Sequence, residues 1–378
     1  MKRFIIFLIV IAGLISFYSC KNETKEKEQV KKKELNRETI AVGIYKANQV
    51  EYSNAEYIAE ALKIDGGIVY VTLKDEDILK TKLENIDVIV FPAISKPEDY
   101  YIPNEQISEI FRSFIFEKGK GAIGISNGVV TLLKLSEMQS VKLMDITERE
   151  ESRIFPEALL HFQLTDAGES IFPELINNDS LFLHSTFNPF VNLDSTMKDD
   201  YELIGLKNID QLIQPFFITS KRGKGKIFMS FANPESTPGM RWMIPRMVRW
   251  VYNKELVSYR ANLMKPNLYT KEIIFTDEIN QKVSSLLSVL EGEDTDEKEK
   301  ALEKLKGIYP WVAHDGVRKM LLEKDDDLKL KAAQYLVDIE HTRAIDDLKL
   351  AIKIERNRKV KEQLADLQLK LENMLDQN

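Results

Sequence analysis

The run Gly124-Ile125-Ser126-Asn127-Gly128 places one hydroxyl between two glycines, directly after the apolar stretch 122–125. That spacing suits a strand-to-helix elbow, a sharp turn that holds one side chain at the carboxyl edge of a parallel sheet while the glycines let strand and helix approach. The letters fit a serine nucleophile. Such a hydroxyl needs a base within hydrogen-bond reach and donors for a developing oxyanion. Asn233-Pro234-Glu235 follows the apolar run 226–232, and Pro92-Ala93 follows the apolar run 86–91, so both fall where strands should end. Asparagine cannot take up a proton at any useful pH, so Asn233 is no base. Two of the four histidines, His161 and His184, lie in the middle of the chain and are the candidates for that role. The competing reading of each is a hydrogen-bonded structural residue in an apolar strand.

The elements that must position these groups follow from hydrophobic periodicity. Residues 40–45, 67–72, 86–91 and 122–125 read as buried strands. Between them lie amphipathic helices: one opened by a capping box at Ser53-Asn54-Ala55-Glu56, one over 75–83, and one capped by Asn104 with Ile107, Ile110, Phe111, Phe114 and Ile115 on its apolar face. This alternation predicts an α/β domain, a flavodoxin-like parallel sheet with helices on both faces. Ligands of such sheets bind at the carboxyl ends of the strands, so Pro92, Ala93, Ser126 and Asn233 should converge. Residues 215–220 and 226–232 predict a hairpin around a basic, glycine-containing turn. Met240 to Tyr252 reads as a helix packed on the sheet, its aromatics belonging to the core.

Taken together, the strand end Val90-Phe91-Pro92-Ala93, the elbow at Ser126 and the ending Asn233-Pro234-Glu235 resemble the class I glutamine amidotransferase-like superfamily, and within it the biotin-protein ligase N-terminal domain family. The resemblance covers roughly residues 38–254. It implies a cysteine nucleophile at the elbow, a histidine base, a glutamate and a Gly-Gly pair beside the oxyanion. Here Ser126 stands for the cysteine, Asn233 for the histidine and Ala93-Ile94 for the glycines, and only Glu235 is kept. The inherited chemistry should be absent. The resemblance also suggests Asn188, in an Asn-Pro turn, as a pocket residue. Ser126, Asn127, Asn188, Asn233, Glu235, Pro92 and Ala93 form the expected ligand pocket.

The ends of the chain carry different signals. Lys2-Arg3 and an apolar core up to Tyr18 read as a signal peptide over 1–19, and the single cysteine, Cys20, follows it as in the lipobox that bacterial lipoproteins carry. An uncleaved anchor or an ordinary secreted protein is the alternative. Residues 20–37, charged and mixed in sign, cannot offset their ordering entropy by burial and read as a lipidated tether. The expected α/β domain spans 38–262, and 263–295 is expected as a linker with one helix. Over 296–378 the sequence repeats, residues 300–308 aligning with 331–339 at a shift of 31. That segment resembles HEAT repeats and predicts a small all-α domain of stacked helices, serving either as a protein-binding surface or as a helical cover on the sheet.

Composition narrows the function. A net charge of −7 argues against a nucleic-acid partner, and one cysteine excludes an internal disulfide. No nucleotide loop or metal-ligand spacing occurs, so no cofactor and no metal are expected. The favoured expectation is a lipoprotein of the bacterial cell envelope, facing the periplasm from the outer membrane. Its amidotransferase-like domain would bind a small polar ligand or a partner without catalysis, and its helical repeats would bind protein. The other expectation is a serine hydrolase in which Ser126 works with His184 or His161, as relatives resembling peptidase E use serine at this elbow.

Overall fold

The structure is a computed structural model that describes residues 39–47, 54–94, 103–143, 157–186, 191–209, 212–260, 263–266, 269–308 and 313–375. Cys20, the expected signal and tether, and Asn188 lie outside the described residues.

Alternation along the strands builds the two apolar layers. In β1 (Ile40–Tyr45), Ile40, Val42 and Ile44 face one core, while Tyr45 faces the other. In β3 (Val88–Phe91), Val88 and Val90 join the first, Ile89 and Phe91 the second. A strand buried on both faces needs helices on both faces. Between them run α1 (Ala55–Leu62), β2 (Ile68–Leu73) and α2 (Asp75–Thr81). Then follow α3 (Glu105–Phe116), β4 (Gly121–Ile125) and α4 (Gly128–Leu135). Asn104 caps α3 as expected, its side chain accepting from Ile107 N at 3.0 Å. The first core takes α1, the second takes α2, α3 and α4.

A middle section extends the sheet instead of continuing the parallel winding. It comprises β5 (Val141–Leu143), β6 (Glu157–Leu164), α5 (Asp166–Ile171), β7 (Leu181–Thr186), β8 (Val191–Leu193), β9 (Glu202–Ile209) and β10 (Leu212–Arg222). The chain returns through β11 (Gly225–Ser230), α6 (Met243–Val251) and the short β12 (Ile273–Ile274). The ten-stranded sheet runs β12-β6-β9-β10-β11-β4-β3-β1-β2, with β7 on β6, and β5 pairs β8 apart from it. Strands β2, β1, β3, β4 and β11 are parallel, in the flavodoxin-like order with β11 fifth. The flavodoxin-like parallel sheet with helices on both faces that the strand–helix alternation predicts is thus present, and from β11 through β10, β9 and β6 it carries an antiparallel extension. The predicted basic turn is the tight β10–β11 hairpin.

The remainder is helical: α7 (Asp277–Leu290), α8 (Thr295–Ile308), α9 (Ala313–Lys319), α10 (Asp326–Asp338), α11 (Ile345–Ile354) and α12 (Arg358–Leu375). Leu302, Leu305, Leu336, Leu364 and Leu367 are buried in one seam, with Ile339 packed against it. That seam is continuous with the core under α1 and α6, and the chain from Ile40 onward forms one compact unit. The stretch 263–295 contributes β12 to the sheet and α7 to the helical stack. Polar contacts fasten α1 to the helices: Tyr57 Oη lies 3.0 Å from His314 Nε2, Thr342 Oγ1 donates to Glu60 Oε2 at 3.1 Å, and Arg343 pairs with Glu56 at 2.8 Å.

Candidate functional site

The expected elbow is formed between β4 and α4. Ser126 sits in the left-handed region at φ 51° and is fully buried. A non-glycine residue there is strained, and such strain persists only where the surroundings over-determine it. They do: Ser126 N donates to Ser230 O at 2.7 Å, carrying the β4–β11 ladder one residue beyond the strand, and Ser126 O accepts from Val129 N at 3.1 Å. A Cβ on Gly128 would lie 2.3 Å from Phe91 O and 2.6 Å from Pro92 O, so glycine is what lets α4 start against the end of β3.

Beside the elbow, the Asn127 side chain and the backbone of Ile94 close on each other. Ile94 N donates to Asn127 Oδ1 and Asn127 Nδ2 donates to Ile94 O, both at 2.8 Å. The reciprocity uses both ends of the amide. Asn127 therefore acts as a brace between β3 and the elbow, where a ligand-facing role is expected, and the Ile94 N–H is spent.

A second set of hydrogen bonds centres on Glu235. Its Oε1 accepts from Asn54 Nδ2 and from Asn233 Nδ2, each at 2.9 Å. Asn54 N in turn donates to Ala93 O at 3.0 Å, which ties the start of α1 to the end of β3. Glu235 is 1% exposed, and its Oε2 has no hydrogen-bond partner among the described residues. Burial pushes this carboxyl above the ordinary glutamate range, against the two amide hydrogen bonds that pull it down. Burial thus favours the neutral form relative to a carboxyl in water.

Asn233 is fully buried, and its backbone is held as firmly as its side chain. Its N–H donates to His184 O at 2.8 Å, and its carbonyl accepts from Ser236 Oγ at 3.1 Å and Thr237 Oγ1 at 2.8 Å. His184 thus adjoins the site through its backbone. Its imidazole has Nε2 3.2 Å from Glu157 Oε1 and Nδ1 3.5 Å from Ser236 Oγ, with the Phe275 ring edge-on at 6.0 Å. His161, on β6, lies 2.8 Å from Asp179 O through Nε2, and β9, β10 and β11 intervene between its strand and β4.

The structure therefore joins Ala93, Asn233 and Glu235 in one hydrogen-bonded set, with Ser126 and the Asn127–Ile94 brace on the adjoining strand end. Asn54 is the member that sequence reasoning misplaces. It occupies the helix N-cap position, but its side chain caps nothing and reaches Glu235, 181 residues away. The capping-box pattern gives no sign of that. Among the described residues no group of histidine, cysteine, aspartate and glutamate could hold a metal ion, and no helix is long and apolar enough to cross a membrane.

No family model matches the sequence, and no curated protein matches it. Solved structures similar to the chain include a ThuA-like protein from Parabacteroides merdae, at 9% identity and a TM-score of 0.41, covering 61% of this chain and 95% of the other. The glutaminase domain of CTPS from Trypanosoma brucei is similar at 10% identity and a TM-score of 0.40, over 58% and 96% of the two chains. A cytoplasmic protein from Salmonella typhimurium is similar at 14% identity and 0.36, over 57% and 97%.

Proposed function

We propose that this chain carries an amidotransferase-like domain whose elbow binds a small polar ligand or a partner's chain and performs no covalent chemistry. The reading rests on the brace between Asn127 and Ile94. An oxyanion site needs backbone N–H groups free to face developing charge, and the Ile94 N–H is already committed at 2.8 Å to Asn127 Oδ1. The base position points the same way, because Asn233 Nδ2 donates to Glu235 and an amide cannot accept the serine proton. In the same proposal Cys20 is the lipid-bearing residue of an envelope protein facing the periplasm, and the helical repeats offer a surface to a protein partner. Two acyl chains would anchor it stably where one would not.

Hydrolysis of activated esters and release of ammonia from glutamine test the reading. Purified protein and its Ser126→Ala variant should show equal, background rates in both assays. A rate that depends on Ser126 would replace the binding role with a hydrolytic one.

A further inference from the structure

Among the described residues the sheet ends at β2, with no strand beyond it. Natural edge strands are blunted by lysine, proline or a bulge, which discourage further pairing. Ile68–Leu73, reading IVYVTL, has none of these and keeps an unbroken register with β1 over all six residues. Val69, Tyr70 and Val71 are 53%, 37% and 45% exposed, so apolar side chains stand open on both faces of this edge.

The backbone of β2 is selective about what it can pair with. Gly67 O and Leu73 O accept from Ile40 N and Lys46 N of the β1 segment. By alternation Val69 and Val71 also turn their polar groups inward, while Ile68, Tyr70, Thr72 and Lys74 turn theirs outward. Two of those outward amides are spent within the chain: Ile68 N donates to Asp65 O at 3.0 Å and Lys74 N to Asp77 Oδ2 at 2.9 Å. The outward amides between them belong to Tyr70 and Thr72.

We propose that β2 pairs antiparallel with β2 of a second copy of this chain, about a two-fold axis at Val71. Tyr70 and Thr72 of each copy then exchange N–H···O bonds with Thr72 and Tyr70 of the other, the hydrogen-bonded pair of an antiparallel ladder. Centring the pairing elsewhere would call on the amides of Ile68 or Lys74, which are already committed. Charge favours the antiparallel sense. Lys63, ahead of the strand, is paired with Glu60, while Lys74, Asp75, Glu76 and Asp77 directly after the strand make its far end net negative. Antiparallel pairing keeps the two net-negative ends apart, whereas parallel pairing would set them side by side. The interface is isologous, the commonest form of homodimer.

Sedimentation velocity on the purified chain, from dilute to concentrated, tests this together with hydrogen exchange of the β2 amides. The wild type should pass from monomer to dimer, with the Tyr70 and Thr72 amides gaining protection as dimer forms. Val71→Lys puts two like charges directly opposite at the axis and should abolish the dimer, as should Val69→Lys if the first variant folds poorly. A wild type that stays monomeric, a dimer that survives both substitutions, or a dimer whose Tyr70 and Thr72 amides stay unprotected would overturn the proposal.

Discussion

Helix α1 is fastened at its start and along its flank by two polar clusters built on opposite electrostatic plans. At its start, Asn54 and Asn233 place two amides on Glu235, a carboxyl that burial pushes toward its neutral form. Along its flank, Tyr57 meets His314, whose ring lies 4.6 Å from that of His341, with Arg241, Arg318 and Arg343 nearby. Burial first, then the neighbouring positive groups, push His341 down to about 2. One cluster resists losing a proton and the other resists gaining one. The Glu235 end of α1 and its flank against the C-terminal helices should therefore respond to pH in opposite senses.

That contrast presupposes one core beneath both clusters, and the largest effect tests this. Leu336 is fully buried in the seam that runs on into the core under α1. Leu336→Ala should cost about 2 to 5 kcal/mol. Thermal unfolding followed in the sheet and in the helices should still show a single coincident transition. Two separated transitions would mean that the clusters sit on independent domains.

The pH dependence comes next. Unfolded His341 takes up a proton below about pH 6.5, which the folded form refuses, so this term is fully present above that pH and is lost as pH falls, at most about 1.4 kcal/mol per pH unit. Folded Glu235 keeps a proton that the unfolded chain releases above the ordinary carboxylate range, so its term is present in acid and is lost as pH rises. His341→Gln should flatten the acid limb of a stability–pH curve, and Glu235→Gln the opposite limb while retaining both amide hydrogen bonds. If the two variants flatten the same limb, the two clusters do not titrate in opposite senses.

The smallest effect is expected at the exposed pair Arg343–Glu56, whose side chains are 38% and 60% exposed. Arg343→Ala should change stability by no more than about 1 kcal/mol, measured by chemical denaturation. A larger loss would show that the joint depends on surface charge more than on its buried histidines.

How much of this was legible in the sequence follows the range over which each signal acts. Local periodicity placed β1, β3, α3 and the elbow, because strand and helix repeats and an Asn104 cap are written within a few residues. The 31-residue shift reappears as the spacing between the starts of α8 at Thr295 and α10 at Asp326. The antiparallel extension was illegible, since β6, β7 and β9 are set by pairing partners and their apolar runs read equally well in either direction. At the site, Asn233 and Glu235 flank Pro234 in the sequence and could be seen together. Asn54 and the Ile94 backbone could not, as their partners are joined to them only by the fold. The brace that closes the Ile94 N–H involves a main-chain donor, for which the residue letters carry no signal.

The proposal to test first is that Ser126 does no covalent chemistry, because Asn233 stands at the base position and the Ile94 N–H at the neighbouring strand end is committed to Asn127. Labelling with a fluorophosphonate serine-hydrolase probe, followed by mapping of the modified residue, tests it most directly. Ser126 should show no modification above that of unfolded protein. Labelling at Ser126 that is lost in His184→Gln would contradict it, and would assign the base to His184.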